Sequence, residues 1–134
     1  MIRPLHLGIS VPDMDASVEW YREMLGFNKI SDEFVEFLNA RTVFMQLGDF
    51  QIELFQYMGE DKKPLPPERL DPNEDRGTKH LAYCVEDLKS LMEELAAKNV
   101  DVVKPIFNMN GDLVCFIRDN SGILIDLIQR NGGK

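Results

Sequence analysis

The chain carries nearly the same pattern twice, and this duplication constrains its fold more than any other feature. Each copy opens on a histidine within an alternating apolar stretch, His6 in the first half and His80 in the second. Each copy closes on a carboxylate between an isoleucine and a leucine, Glu53 in the first half and Asp126 in the second. The spacing from histidine to carboxylate differs by one residue between the halves. Two halves that match in this way predict two copies of one structural unit, which we attribute to gene duplication.

The hydrophobic periodicity within each half predicts the same order of elements. Alternation of period two indicates strands, and apolar residues at helical spacing indicate one helix after the first strand of each half. The predicted strands are 5–11, 28–37, 42–47 and 50–57 in the first half, and 80–85, 100–106, 113–118 and 122–129 in the second. Asp13 and Asp87 are suited to begin the helices, and Gly26 and Asn99 to end them. The order β-α-β-β-β therefore occurs twice, which predicts an α+β fold of two tandem βαβββ modules.

The length of 134 residues predicts a single domain, because a chain of this size can bury a core without disulfide bonds. Module one spans residues 1–58 and module two residues 78–131. The segment 59–77 between them holds four of the seven prolines and has little apolar periodicity. A connection of this length is either a crossover between the modules or a loop that closes over a site.

Charge and composition exclude several classes of function. The net charge of −8 argues against a nucleic-acid-binding protein, which needs a basic surface to displace counterions from phosphates. A small anionic substrate would need local positive groups for the same reason. No apolar run is long enough to span a membrane and the N-terminus has no signal-peptide pattern, so we expect a cytoplasmic protein with no membrane partner. Cys84 and Cys115 lie in apolar runs, which predicts two reduced, buried thiols.

The two histidines and two carboxylates are the candidate site. On each strand the residues of one face are apolar, and the candidate side chain belongs to the other face, where its neighbours on the opening strands are small. These small neighbours are Gly8, Ser10, Ala82 and Cys84. If the two units pair about a pseudo-twofold axis, a curved sheet would bring His6, Glu53, His80 and Asp126 into one cleft.

A set of two imidazoles and two carboxylates suits a divalent ion such as Ni²⁺, Co²⁺, Fe²⁺, Mn²⁺ or Zn²⁺. Two buried carboxylates without a cation would be costly, because desolvation and like-charge repulsion add. A single histidine on a strand is more often a hydrogen-bonded structural residue. Here, however, the only two histidines of the chain fall at equivalent positions of the repeat, and each has an equivalent carboxylate. This coincidence favours a metal site.

Four motifs carry a resemblance to a known family. They are HLGISVPD (residues 6–13), SVEWYREMLGF (17–27), KHLAYCVEDL (79–88) and FIRDNSGILIDLI (116–128). Through them the chain resembles the vicinal oxygen chelate superfamily, also called the glyoxalase/bleomycin-resistance/dioxygenase group. The resemblance implies a cupped mixed sheet built from two βαβββ modules around one divalent metal ion. The metal positions of the family match His6, Glu53, His80 and Asp126.

The set His, Glu, His and acid is most similar to that of the glyoxalase I-type lyases, in which both carboxylates are glutamates; Asp126 is one methylene shorter. This similarity implies a metal-dependent lyase or isomerase acting on a hemithioacetal or an α-hydroxycarbonyl compound. In such an enzyme a carboxylate, Glu53 or Asp126, moves a proton through a metal-stabilised enediolate. A thiol such as glutathione would be the cosubstrate. The resemblance also implies a homodimer, either with each chain closing its own cleft or with modules exchanged between chains.

Other activities of the superfamily remain alternatives. One is an acyl-CoA epimerase, although relatives of that kind tend to carry an amide where Glu53 stands. Another is an extradiol-type dioxygenase, whose chemistry favours two histidines and one carboxylate with open iron positions. Thiol-transferase resistance enzymes likewise use three ligands. The last alternative is a non-catalytic protein that sequesters an antibiotic, and such binders generally lack the metal set.

Overall fold

The computed structural model of the chain describes residues 1–59 and 78–131. The chain divides into two compact units, Met1–Pro64 and Leu65–Lys134. Residues 60–77, nearly all of the predicted connecting loop, lie outside the described part, so its role as crossover or lid stays a prediction. No helix among the described residues is long and apolar enough to cross a membrane.

Each unit contains one four-stranded sheet and one main helix. The elements of the first unit are β1 (His6–Ser10), α1 (Met14–Trp20, continued by a wider turn over Tyr21–Leu25), β2 (Asn28–Val35), a short 3₁₀ turn (Glu36–Leu38), β3 (Ala40–Leu47) and β4 (Phe50–Tyr57). Those of the second unit are β5 (Leu81–Cys84), α2 (Leu88–Ala97), β6 (Asp101–Met109), β7 (Asp112–Arg118) and β8 (Leu124–Gln129). The predicted α+β fold with two βαβββ units is confirmed.

The strand order is the same in both sheets, β1-β4-β3-β2 in the first and β5-β8-β7-β6 in the second. In each sheet the first strand runs parallel to the last, and the other neighbours are antiparallel. The helix that follows the first strand makes this parallel pairing possible, because parallel neighbours need a long crossover. The first and last strands, which carry the candidate histidines and carboxylates, are thereby placed side by side in each unit.

The helices begin and end where the sequence predicts. The carboxylate of Asp13 accepts a hydrogen bond from the backbone N–H of Ala16, and that of Asp87 accepts one from Ser90. Each bond satisfies an N–H group that has no partner within the helix. At the other end of the first helix Gly26 has a φ of 82°, a left-handed conformation that terminates helices and that glycine adopts without strain.

A second attachment of each helix was not predicted. The side-chain oxygen of Gln56, on β4, accepts a hydrogen bond of 2.7 Å from the backbone N–H of Met14, the first residue of α1. Gln129, on β8, accepts one of 2.8 Å from Leu88, the first residue of α2. The last strand of each sheet therefore holds the start of its helix through an equivalent glutamine.

The apolar faces of the sheets form the cores of the two units, as the alternation predicts. Ile52 and Leu54 of β4, and Ile125 and Leu127 of β8, are at most 1% exposed. The thiol of Cys115 on β7 lies 3.7 Å from the sulfur of Met92, which places α2 against the apolar face of its sheet. Burial raises the pKa of the Cys115 thiol to about 11, so this cysteine is an unreactive part of the core.

Three expectations from the sequence need correction. Cys84 is exposed, not buried, because it shares the face of Ala82 rather than the apolar face of β5. Leu5 is also exposed, since β1 begins one residue later. Strand β6 extends to Met109, beyond the predicted end at residue 106, because it absorbs Pro105 through register shifts. It can do so as an edge strand, where the missing N–H of a proline costs no ladder hydrogen bond.

An ion-pair cluster on the first sheet makes stability depend on pH. Arg41 donates two hydrogen bonds to the carboxylate of Asp32, at 2.9 and 2.7 Å, and Lys29 donates a third at 3.1 Å. These contacts, chiefly the one with Arg41, lower the pKa of Asp32 from its ordinary 3.8 to about 2. A carboxyl group whose pKa is lower in the folded state stabilises the fold above its unfolded-state pKa, and this contribution disappears as pH falls from 3.8 to about 2.

We therefore expect Asp32→Asn to lose less stability on acidification than the wild type. Between about pH 4 and pH 2 the wild type should lose more unfolding free energy than Asp32→Asn, but by no more than about 1 kcal/mol, because water screens the partly exposed pair. Urea unfolding followed by circular dichroism at both pH values measures it. Asp49→Asn, at an exposed turn, is the control and should behave as the wild type does. Equal acid sensitivity of wild type and Asp32→Asn would show that the cluster contributes nothing.

Candidate functional site

In the first unit the candidate histidine and carboxylate lie on adjacent strands and on the same face of the sheet. Gly8 of β1 is the register partner of Glu53 on β4, and His6 precedes Gly8 by two residues. Since residues two apart in a strand share a face, His6 and Glu53 both project from this one. The Nε2 atom of His6 lies 3.3 Å from Oε1 of Glu53, and both side chains are partly exposed to water.

The second unit repeats this arrangement. His80 lies one residue before β5, and Ala82 is the register partner of Asp126 on β8. The Nε2 atom of His80 lies 3.6 Å from Oδ2 of Asp126. This distance is too long for a direct hydrogen bond.

Asp126 differs from Glu53 in its surroundings. Its side chain is only 6% exposed, against 19% for Glu53. Its second oxygen, Oδ1, is buried and accepts no hydrogen bond from the described residues. Burial raises the pKa of Asp126 above its ordinary value, and the nearby His80 opposes this rise. A buried carboxylate oxygen without a donor is costly, which makes Asp126 a position where a further positive group would stabilise the protein.

Two aromatic residues that the sequence analysis missed complete these pairs. Phe44 contacts the ring of His6 edge-on, with centroids 5.1 Å apart, and Phe116 contacts His80 in the same way at 5.7 Å. Each phenylalanine is also the register partner of the carboxylate, Phe44 of Glu53 and Phe116 of Asp126. An aromatic edge contact fixes the orientation of an imidazole ring. No pattern of the sequence indicates them, because both contacts follow from the pairing of β3 with β4 and of β7 with β8.

Gly8 provides room for the ring of Phe55 on the face of the candidate site in the first unit. A Cβ atom at Gly8 would lie 3.0 Å from the ring of Phe55, two residues after Glu53. This is closer than real Cβ atoms normally approach, so any side chain here would displace the phenylalanine. The prediction that small residues flank the candidate histidines on the opening strands therefore has a steric basis at this position.

The structure brings the four predicted residues together as two pairs, each within its own unit. The described residues of each unit contain no cluster of three or more His, Cys, Asp or Glu side chains. Each pair supplies one imidazole nitrogen and one carboxylate, the mixed donors that divalent first-row metals accept. The buried Oδ1 of Asp126 without a described donor fits a cation as well. The residues present therefore fit a divalent metal, and the gathering of all four around one ion stays a prediction.

A model of the Glyoxalase/Bleomycin resistance protein/Dioxygenase superfamily matches residues 3–127. Among curated proteins, the chain is 29% identical over 129 residues to the ethylmalonyl-CoA/methylmalonyl-CoA epimerase of Cereibacter sphaeroides, covering 92% of this chain and 95% of that protein. It is also 29% identical over 136 residues to a probable lactoylglutathione lyase of Synechocystis, covering 97% of both. The similarity thus extends to an epimerase and to a lyase at the same level.

A solved structure of a glyoxalase I also resembles this chain in its fold. The glyoxalase I of Leishmania major, described as trypanothione-dependent, matches this chain with a TM-score of 0.73 at 25% identity. The match covers 96% of this chain and 87% of that one.

Proposed function

The chain belongs to the glyoxalase/bleomycin resistance protein/dioxygenase superfamily, and from this membership we propose that it is a metal-dependent lyase or isomerase of glyoxalase I type. Its substrate would be a hemithioacetal or an α-hydroxycarbonyl compound, with a thiol such as glutathione as cosubstrate. One observation supports this most strongly: each unit carries a histidine and a carboxylate 3.3 to 3.6 Å apart at equivalent positions.

We propose that His6, Glu53, His80 and Asp126 together hold one divalent ion, which is Ni²⁺, Zn²⁺, Co²⁺, Mn²⁺ or Fe²⁺. When bound, such an ion supplies positive charge that stabilises negative charge developing on the substrate oxygens. The two modules would act as one domain, and the protein would be a cytoplasmic homodimer. The two pairs then come either from one chain or from modules exchanged between chains.

Asp126 fits the role of proton carrier better than Glu53. Its Oδ1 has no donor among the described residues and would contact the metal ion, which leaves Oδ2, the oxygen that faces His80, to accept the proton. Its burial also excludes water, which would otherwise compete for that proton. Asp126 would take the proton from the hydroxyl-bearing carbon next to the carbonyl group and return it to the carbonyl carbon, while the hydroxyl proton passes to the former carbonyl oxygen. The product is an isomer of the substrate, and no other reactant is consumed.

An acyl-CoA epimerase is the second candidate, supported by the relative from Cereibacter sphaeroides. The proton would again leave the carbon next to a carbonyl group, but it would return to the opposite face of the same carbon. Both candidates therefore use one carboxylate for the same first step, and the fate of the proton separates them.

The test is a comparison of two substrates with the metal-loaded protein. One is the hemithioacetal of methylglyoxal and glutathione, followed as thioester formation, and the other is methylmalonyl-CoA, followed as deuterium uptake from heavy water. We expect thioester formation that a chelator abolishes and one of the five ions restores. Deuterium uptake by methylmalonyl-CoA alone would favour the epimerase. Turnover of neither substrate with any of the ions, or oxygen uptake with catechols, would contradict the proposed reaction.

A further inference from the structure

One position breaks the symmetry between the two units. The strand register aligns four residues across each sheet, from the first strand of the unit to the edge strand. In the first unit they are Gly8, Glu53, Phe44 and Ser31. In the second they are Ala82, Asp126, Phe116 and Lys104. A small residue, a carboxylate and a phenylalanine thus recur in order, but the fourth position is a serine in one unit and a lysine in the other.

The edge strands are irregular at this position in both units. The register shifts between Lys29 and Ser31 in β2, and between Val102 and Lys104 in β6. Irregularities of this kind redirect side chains and are frequent beside active sites. The equivalent placement shows that Lys104 occupies a duplicated structural position and carries a positive charge that its counterpart lacks.

Two aromatic rings lie between Lys104 and the histidine of the second unit. Its ammonium group lies 4.0 Å from the ring centroid of Phe107. That ring stacks on Phe116, with centroids 6.2 Å apart and planes 16° from parallel, and Phe116 in turn contacts His80. Because register partners on adjacent strands share a face, Lys104 also lies on the face of Phe116 and Asp126.

Within the described part of the chain, the ammonium group of Lys104 contacts an aromatic ring but forms no ion pair. Some other bases of the protein have acidic partners, such as Arg130 with Asp112 and Lys29 with Asp32. No described carboxylate forms an ion pair with Lys104, whose ammonium instead rests on an aromatic ring, a favourable electrostatic contact. In a protein with a net charge of −8, an anionic ligand needs such a local positive group.

We infer that Lys104 is a specificity-determining residue that binds an anionic group, a carboxylate or a phosphate, on the substrate of the proposed reaction. The inference rests on the proposed function, since it takes the residues around Asp126 as the place of chemistry. Lys104 lies two strands from Asp126, and adjacent strands are about 4.8 Å apart, so the backbones of the two residues lie roughly 10 Å apart across the sheet. The anionic group therefore belongs to the thiol portion of the substrate and not to the reacting carbons.

The test is equilibrium binding by calorimetry to the Zn²⁺-loaded protein, which needs no turnover. Two probes distinguish the possible anions: S-hexylglutathione carries carboxylates, and desulfo-coenzyme A carries phosphates. The diethyl ester of S-hexylglutathione is the comparison that lacks both carboxylates and keeps the rest of the molecule. The variants are Lys104→Met, which keeps the apolar stem, and Lys104→Arg, which keeps the charge. Lys89→Met is the matched control, because Lys89 is exposed on α2, on the opposite face of the same sheet.

We expect Lys104→Met to raise the Kd of one anionic probe about tenfold, since an ammonium–anion hydrogen bond is stronger than a neutral one. Lys104→Arg should restore most of the affinity, and binding of the ester should not change. The Kd of the Lys89→Met variant should equal that of the wild type. The anionic probe that responds identifies the substrate as a carboxylate or a phosphate ester.

Equal binding of both anionic probes by wild type and Lys104→Met would overturn the inference, as would failure of the wild type to bind either probe. The zinc content of each sample separates a lost anion contact from a lost metal. If Lys104→Met selectively weakens a probe but the wild type turns over neither the hemithioacetal nor methylmalonyl-CoA, the anion site stands and the proposed reaction fails.

Discussion

Replacing His80 with alanine should abolish both stoichiometric divalent-metal binding and turnover. The change removes the imidazole nitrogen that lies 3.6 Å from Asp126, and with it half of the donors that the second unit supplies. Loss of one of the four protein ligands weakens the binding of a borderline metal ion, so dialysis against a chelator should remove the ion from the variant but not from the wild type. Metal analysis of the dialysed protein and the hemithioacetal assay measure the two effects on the same sample.

The variant His6→Ala tests whether both units contribute ligands to the same ion. If the two units contribute to one ion, either histidine variant loses the metal completely. If each unit bound its own ion, each variant would keep half of the bound metal. Glu94→Ala, at an exposed position of α2, is the control and should retain both metal and activity. Retention of one equivalent of metal per chain by His80→Ala would contradict the four-ligand site.

The second large effect is expected for Asp126→Asn. The amide keeps the size of the side chain but cannot accept the substrate proton, so kcat should fall by about 10²- to 10⁴-fold. The fold should be retained, and the metal-free variant should be at least as stable as the metal-free wild type. The reason is that a neutral amide costs less to bury than a carboxylate, whose Oδ1 is buried here without a described donor.

Two comparisons make the Asp126→Asn result specific. Glu86→Gln introduces the same chemical change at an exposed position of the second unit and should leave kcat and stability unchanged. Glu53→Gln tests the alternative assignment of the proton carrier. A larger loss of kcat in Glu53→Gln than in Asp126→Asn would transfer that role to Glu53. Full activity of Asp126→Asn would remove the aspartate from the mechanism.

Local patterns of the sequence were sufficient to predict the elements and their order. Alternation of period two identified the strands, and Asp13, Asp87 and Gly26 marked helix ends, because these features depend on neighbours within a few residues. Cys84 was wrongly predicted to be buried, because this prediction rested on a local pattern alone. An apolar run does not reveal which face of a strand is covered, and Cys84 belongs to the face of the candidate site.

What the sequence left unpredicted depends on pairing between distant strands. The contacts of Phe44 and Phe116 with the histidines follow from the register of β3 and β7, which no local pattern specifies. The position of Lys104 likewise depends on a register irregularity beside Pro105. The repeat itself contained part of this information, since equivalent strands pair equivalently in both units.

The glutamines that hold the helix starts have a consequence for folding fidelity. In β4 the carboxylate of Glu53 and the amide of Gln56 are three residues apart and therefore project from opposite faces, one toward the candidate site and one toward α1. Asp126 and Gln129 repeat this in β8. A slip of the strand by one residue would reverse both faces, removing the acid from its histidine and the amide from its helix together. A mispaired form of either half therefore loses two polar contacts, one on each face of the strand. These contacts favour the correct alignment of the duplicated strands.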